Sequence, residues 1–191
     1  MSDPLERLRE WIDAAGGMQR LEAIAMCVST AGADNKPSSR MVLLRGLDDR
    51  GLCFYTSYGS RKAQQLHDNA SAAALLYWSW MQRQVRVEGT VGETSDDESD
   101  EYFASRPRGH QLAAWASEQS EPLASHDVLE ERYAHFKARF EGEDVPRPHS
   151  WGGYLLRPNY VEFWQGRENR MHERIAYTLT EGRWTQALLQ P

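Results

Sequence analysis

Arg40, Arg45, Arg61 and Lys62 punctuate the stretch RMVLLRGLDDRGLCFYTSYGSRK (residues 40–62), where apolar runs alternate with cations. Ser60 offers a helix N-cap, so Arg61 and Lys62 fall in a first helical turn, where the macrodipole mildly disfavours positive charge. An anion would compensate. Free backbone N–H groups at that helix start, with guanidinium and ammonium groups converging on it, make a phosphate site. The alternative is a plain solvated basic surface. Neither GxGxxG nor GxxxxGK occurs in the chain, so the usual dinucleotide and P-loop signals are missing.

Local pattern gives the elements that must hold these cations. Met41–Leu44 and Leu52–Thr56 read as strands of one hairpin turning at Asp48–Gly51, and Ser60–His67 reads as a short helix. Asp3, Pro4 and Glu6 open a first helix running to about Ala15, with Leu5, Leu8, Trp11 and Ile12 on one face. Ala23–Thr30, Ala72–Trp80 and Gln84–Val91 read as strands. In the last, Val85, Val87 and Val91 share one face and Gln84, Arg86 and Glu88 the other. Ser95 and Glu98 form a capping box that starts a helix ending near Arg106, so Asp96, Asp97 and Glu98 complement a dipole rather than bind metal. No metal site is expected. Gln111–Ala116 and the Val128–Phe140 region read as further helices, the latter with an ordinary core face. Trp151–Leu156, Tyr160–Gln165, Arg174–Leu179 and Trp184–Leu188 read as closing strands, with turns at Pro158 and Gly182.

The 191 residues fit one domain, 1–191, able to bury a core without staples. No apolar run reaches the roughly 20 residues of a membrane span, and MSDPLERLREW lacks a signal-peptide core, so a cytoplasmic protein is expected. Cys27 and Cys53 lie in strand-like runs and read as buried free thiols. A net charge of −6 argues against nucleic acid as partner, although a basic pocket can sit in an acidic whole. The sum is an α+β protein, mainly antiparallel β, built on a small closed or split barrel with flanking helices.

Taken together, RMVLLR, FYTSYGSRKA, RQVRVEG, YFASRPR, SEQS, SWGGY and VEFWQGRENRMHER resemble the pyridoxamine 5′-phosphate oxidase family over nearly the whole chain. The resemblance implies an FMN-binding split β-barrel and a homodimer with FMN at the subunit interface. It implies FMN contacts from Arg40, Met41, Val42, Leu43, Tyr55, Thr56, Arg61, Lys62, Gln84, Gln119, Ser120, Trp164 and Arg174. Gln119, Ser120, Trp164 and Arg174 are expected not all to come from the subunit that supplies Arg61. Substrate contacts are implied at Arg45, Tyr102, Arg106 and His110 for a phosphate, and at the catalytic pair Arg170 and His172 for a pyridine ring. The implied reaction oxidises pyridoxamine or pyridoxine 5′-phosphate to pyridoxal 5′-phosphate, with dioxygen as acceptor and hydrogen peroxide as product.

Three departures fall on the substrate side. Arg45 stands for the family's usual lysine, His110 for its serine, and the extension expected before the first helix is missing. Two other readings stay open: an FMN-dependent oxidase of another heterocycle, of phenazine type, and a flavin or pyridoxal phosphate binding protein without turnover.

Overall fold

The structure is a computed structural model that describes residues 3–191. Helix α1 (Pro4–Ala15) starts where Asp3 accepts a hydrogen bond from the Leu5 N–H and Pro4 fills the first turn; Leu5, Leu8 and Ile12 are buried. Trp11 lies half-buried at the edge of that face. A one-turn helix, α2 (Leu21–Ile24), occupies the start of the expected second element, so strand β1 (Ala25–Ala31) begins two residues later than Ala23.

Strand β2 (Pro37–Leu43) pairs only with β1, and the expected hairpin between 41–44 and 52–56 does not form. Instead β3 (Gly46–Asp48) makes the tight hairpin with β4 (Gly51–Ser57). The reason lies at two consecutive amides. Leu44 N–H bonds to the Ile24 carbonyl and Arg45 N–H to the Cys53 carbonyl, at 2.9 and 2.8 Å, so one residue belongs to each side of a seam. Helix α3 (Arg61–Asp68) and strand β5 (Ser71–Trp78) follow; a 3₁₀ turn at Ser79–Met81 ends β5 before Trp80. Strand β6 (Arg83–Glu93) returns along β5.

Three helices cover one side: α4 (Asp96–Ser105), whose Ser95–Glu98 capping box forms as expected, α5 (Arg108–Ala116) and α6 (His126–Arg139). No residue within α6 is buried, but Phe140 at its C-cap is, and with half-buried Tyr133 and Phe136 the expected face packs into a satellite cluster rather than the main core. Strand β7 (Trp151–Gln165) runs unbroken through Pro158, where a turn was expected. Its first half pairs with β4 and its last six residues pair with β8 (Glu173–Thr180), so Pro158 falls where that edge changes partners and its missing N–H costs no bond. On the other edge the register with β6 shifts between Glu88 and Gly89. Strand β9 (Arg183–Leu189) completes the sheet against β8.

All nine strands form one antiparallel sheet with the path β2-β1-β5-β6-β7-β4-β3. Its ends, β2 and β3, are consecutive in sequence and separated by two residues, so the sheet must curl until they meet. The inside holds the main core, including Met26, Leu44, Phe54, Leu76, Trp78, Val85, Val87, Val161 and Phe163, with α1 closing one end. Phe103, Leu112, Phe140, Val145 and Trp151 form the satellite core under the helices. Among the described residues no helix is long and apolar enough to cross a membrane.

Candidate active site

A cavity of about 930 Å³ opens beside the seam, between β2, β4 and the helical side. Arg40, Arg45, Arg61, Lys62 and Arg106 line it, together with His110, and among the described residues no aspartate or glutamate does. Five cations share one concavity without a carboxylate.

At one end, Lys62 is buried at 7% exposure because α3 turns its first-turn face inward. Its Nζ donates to Thr56 Oγ1 (2.9 Å), Ser60 Oγ (3.2 Å) and Gln119 Oε1 (2.9 Å), all neutral acceptors. Burial, then the nearby Arg40 charge, lower the Lys62 pKa to about 8. Arg40 is tied to Thr30 Oγ1 at 2.7 Å and Ser38 Oγ at 2.6 Å, and burial followed by the Arg61 charge lowers its pKa in turn. Ser120, at φ 78°, accepts a bond from the Arg61 N–H. Gln119 and Ser120 therefore meet Arg61 and Lys62 within one chain, while Trp164 and Arg174 do not join them there. The segment after α5 folds back over the start of α3 and brings them there.

At the other end, Arg106 stands with its guanidinium carbon 4.5 Å from the Trp151 ring centroid, on a stack in which Tyr55 and Tyr102 lie 3.9 Å apart. Burial, and then the Arg45 charge, lower the Arg106 pKa, although Tyr102 works the other way. Its buried Nη1 has no hydrogen-bond partner among the described residues. An orphaned guanidinium nitrogen beside a second arginine is a site for an oxyanion, whose charge would reverse both penalties. The cavity thus carries two cationic ends, and Met41, Val42, Leu43, Tyr55 and Thr56 lie in the wall around them. Ser38, Ser39, Ser105, Pro107 and Trp151 also line it and were not singled out by sequence; of these Ser105 and Pro107, in YFASRPR, and Trp151, in SWGGY, lay in segments that carried a signal.

Gln84, Trp164, Arg170, His172 and Arg174 do not line this cavity. Gln84, Trp164 and Arg174 make one cross-strand row over β6, β7 and β8, hence one face of the sheet. Arg174 Nε donates to Glu162 Oε1 at 2.8 Å. Glu162, missed by sequence reading, is 3% exposed; burial alone would raise its pKa, but bonds from Arg174 and Tyr160 and the Arg86 and Arg174 charges hold it below the usual value. Between β7 and β8, Asn169 and Arg170 both adopt positive φ, 54° and 61°, a costly backbone for non-glycine residues. His172 packs 4.7 Å from Trp164, and its Nδ1 accepts the Arg167 N–H, which leaves Nε2 as the nitrogen able to donate. Cys27 and Cys53 are free and half-buried, and burial raises the Cys53 thiol to about 11.

The comparisons with known proteins agree over the whole chain. The family model described as pyridoxamine 5′-phosphate oxidase matches residues 15–140, and the one described as the pyridoxine 5′-phosphate oxidase C-terminal dimerisation region matches 151–191. A pyridoxine/pyridoxamine 5′-phosphate oxidase of Rubrobacter xylanophilus is 52% identical over 99% of this chain and 87% of that protein. One of Cupriavidus pinatubonensis is 49% identical over 99% and 89%. The crystal structure of PhzG from Burkholderia lata, in complex with tetrahydrophenazine-1-carboxylic acid, superposes with TM-score 0.94 at 31% identity, covering 100% of this chain and 94% of that one. An FMN-binding, pyridoxamine 5′-phosphate oxidase-related protein of Nostoc punctiforme shares the fold, with TM-score 0.78 at 16% identity over all of both chains.

Proposed function

Because the chain belongs to the pyridoxamine 5′-phosphate oxidase family, and is an oxidoreductase by that membership, we propose that it binds FMN and oxidises pyridoxamine or pyridoxine 5′-phosphate to pyridoxal 5′-phosphate, passing the electrons to dioxygen with release of hydrogen peroxide. The observation that carries this reading is the acid-free cavity with two separate cationic ends. One phosphate belongs to the cofactor and one to the substrate.

Arg61, Lys62, Ser120 and the α3 N-terminus would take the cofactor phosphate, with Arg40–Leu43, Tyr55 and Thr56 along its length. When bound, the flavin supplies the two-electron acceptor that no side chain can provide. Arg106, with the free Nη1, would take the substrate phosphate together with Arg45, Tyr102 and His110. Losing water there strengthens each charge-assisted bond, which positions the rest of the substrate. Arg170 and His172 would hold the pyridine ring, His172 donating through Nε2 because Nδ1 is engaged.

Those two residues, with Gln84, Trp164 and Arg174, stand on a different part of the chain from the cavity, and residues 151–191 match a dimerisation region. Both facts support a homodimer in which this row completes the partner's cavity. The likeness to PhzG favours a second reading, oxidation of a phenazine-type carboxylic acid, in which Arg106 would bind a carboxylate instead.

The test is oxygen consumption by purified, FMN-loaded protein. Turnover of pyridoxamine or pyridoxine 5′-phosphate is expected; turnover of a reduced phenazine carboxylate alone would replace the first reading with the second, and a protein that neither holds FMN nor consumes oxygen would remove both.

A further inference from the structure

The sheet row next to Gln84, Trp164 and Arg174 faces the opposite way. Arg83, Gln165 and Glu173 are paired across β6, β7 and β8, as are Val85, Phe163 and Ile175, and both rows look toward α1. With Arg7 and Trp11 of α1, and with Arg167, all of these but the buried Val85 enclose a cleft of about 210 Å³, the space of roughly seven waters at about 30 Å³ each. Its walls are unusual in charge. Three guanidinium groups face a single carboxylate, Glu173, which is already held by Arg167 Nη2 at 3.0 Å.

Two of the three are fixed by stacking. The Arg83 guanidinium carbon sits 4.5 Å from the Trp11 ring centroid, and that of Arg7 sits 4.8 Å from Phe163 and 5.7 Å from Trp11. Each spends one nitrogen on a neutral acceptor: Arg83 Nε on Gln165 Oε1 at 2.6 Å, Arg7 Nη1 on Tyr177 Oη at 3.2 Å. Guanidinium groups held on aromatic faces keep their N–H edges for a planar or tetrahedral oxyanion, and among the described residues no carboxylate pairs with Arg7 or Arg83.

We propose that this cleft binds a phosphate-sized oxyanion, and that the anion acts on the loop before β8 through Arg167. The anion competes with Glu173 for the Arg167 guanidinium. The Arg167 backbone N–H holds His172 Nδ1, so drawing Arg167 into the cleft loosens the turn that carries Arg170 and His172. The cleft lies outside the 930 Å³ cavity and shares no residue with it.

The test titrates inorganic phosphate by calorimetry into protein whose cavity is silenced by Arg61→Gln and Arg106→Gln, so that the readout does not depend on turnover or on FMN. Saturable binding is expected, weakened at least tenfold by adding Arg83→Gln and also by adding Arg167→Gln, whose exposed side chain is not needed for packing α1. Methyl phosphate in a parallel titration separates the sources: equal binding assigns phosphate monoesters as well, and binding of the inorganic ion alone assigns the free anion. No binding in the silenced protein, or binding indifferent to both arginine changes, overturns the site. Hydrogen exchange at the Arg167 amide should quicken on phosphate addition; an unchanged rate overturns the link to the loop.

Discussion

Lys62 is the residue at which the cavity's charge imbalance is most costly. Its pKa lies near 8 in the folded chain, through burial first and Arg40 second, against about 10.4 in an unfolded chain. The unfolded state therefore binds the extra proton between those values, so the ammonium's penalty is fully present below about pH 8 and fades as pH rises toward the unfolded value. Thermal melts of the flavin-free protein should show Lys62→Met raising stability at pH 7.5 and raising it much less at pH 10. A pH-independent difference would deny the charge its role. An anion at this end reverses the sign, so FMN should bind more weakly as pH climbs past 8; each charge-assisted bond is worth about 1.5–3 kcal/mol, and Arg61→Gln with Lys62→Gln should weaken FMN on the order of 100-fold or more. Equilibrium titration with FMN measures it. If Arg170 and His172 hold the substrate ring as proposed, alanine at both should leave FMN affinity within about twofold while slowing flavin reduction in single-turnover experiments, since losing an interaction used only in the reaction lowers rate without lowering cofactor binding. The cations of residues 40–62 were readable from their own spacing because phosphate chemistry demands cations whatever the fold, whereas Arg170 and His172 were named only by the family resemblance. Glu162 and the Trp151 platform were not legible, because a carboxylate or an indole in a strand acquires a task only from neighbours that pairing supplies.

Strands and helices were legible where period and capping chemistry agree. The Ser95–Glu98 box formed as read, and Ser95→Ala should cost about 1 kcal/mol in a chemical denaturation curve. Pairing was a different matter. Two apolar runs separated by a turn read as partners, yet β2 and β4 belong to opposite sides of the seam, because the three-residue β3 took the hairpin. Proline was read as a stop at residue 158, but one edge of β7 is vacated there by β4 before β8 begins, and the facing register shift absorbs the ring. That bulge has a strict requirement on its other side. A Cβ on Gly89 would lie 2.0 Å from the Arg157 carbonyl oxygen, so Gly89→Ala must displace backbone in the middle of the sheet and should cost on the order of 2–4 kcal/mol. An unshifted denaturation midpoint would mean that the strand slides at no cost.

At the scale of the molecule, one chain presents a cavity in one place and the Gln84–Trp164–Arg174 row in another. Light scattering of purified protein should give about twice the 21.9 kDa chain mass. Mixing inactive Arg106→Gln chains with inactive Arg170→Ala chains should restore part of the activity, since a mixed dimer rebuilds one intact site; mixtures as inactive as their parents would place each site within a single subunit.

The unbroken strand β7 also sets an order in time. Every residue lining the cavity except Trp151 lies before residue 121, yet β4 and β6 have no hydrogen bonds to one another and each waits for β7 as its neighbour. During synthesis the ribosome must release residues through about Gln165 before the two halves of the barrel can join. Until then two strand edges stand open, which is the condition that recruits chaperones or invites association between nascent chains. The pocket's residues are thus translated early and assembled late, and a translational pause after β6 should harm the yield of this protein more than a pause after β7.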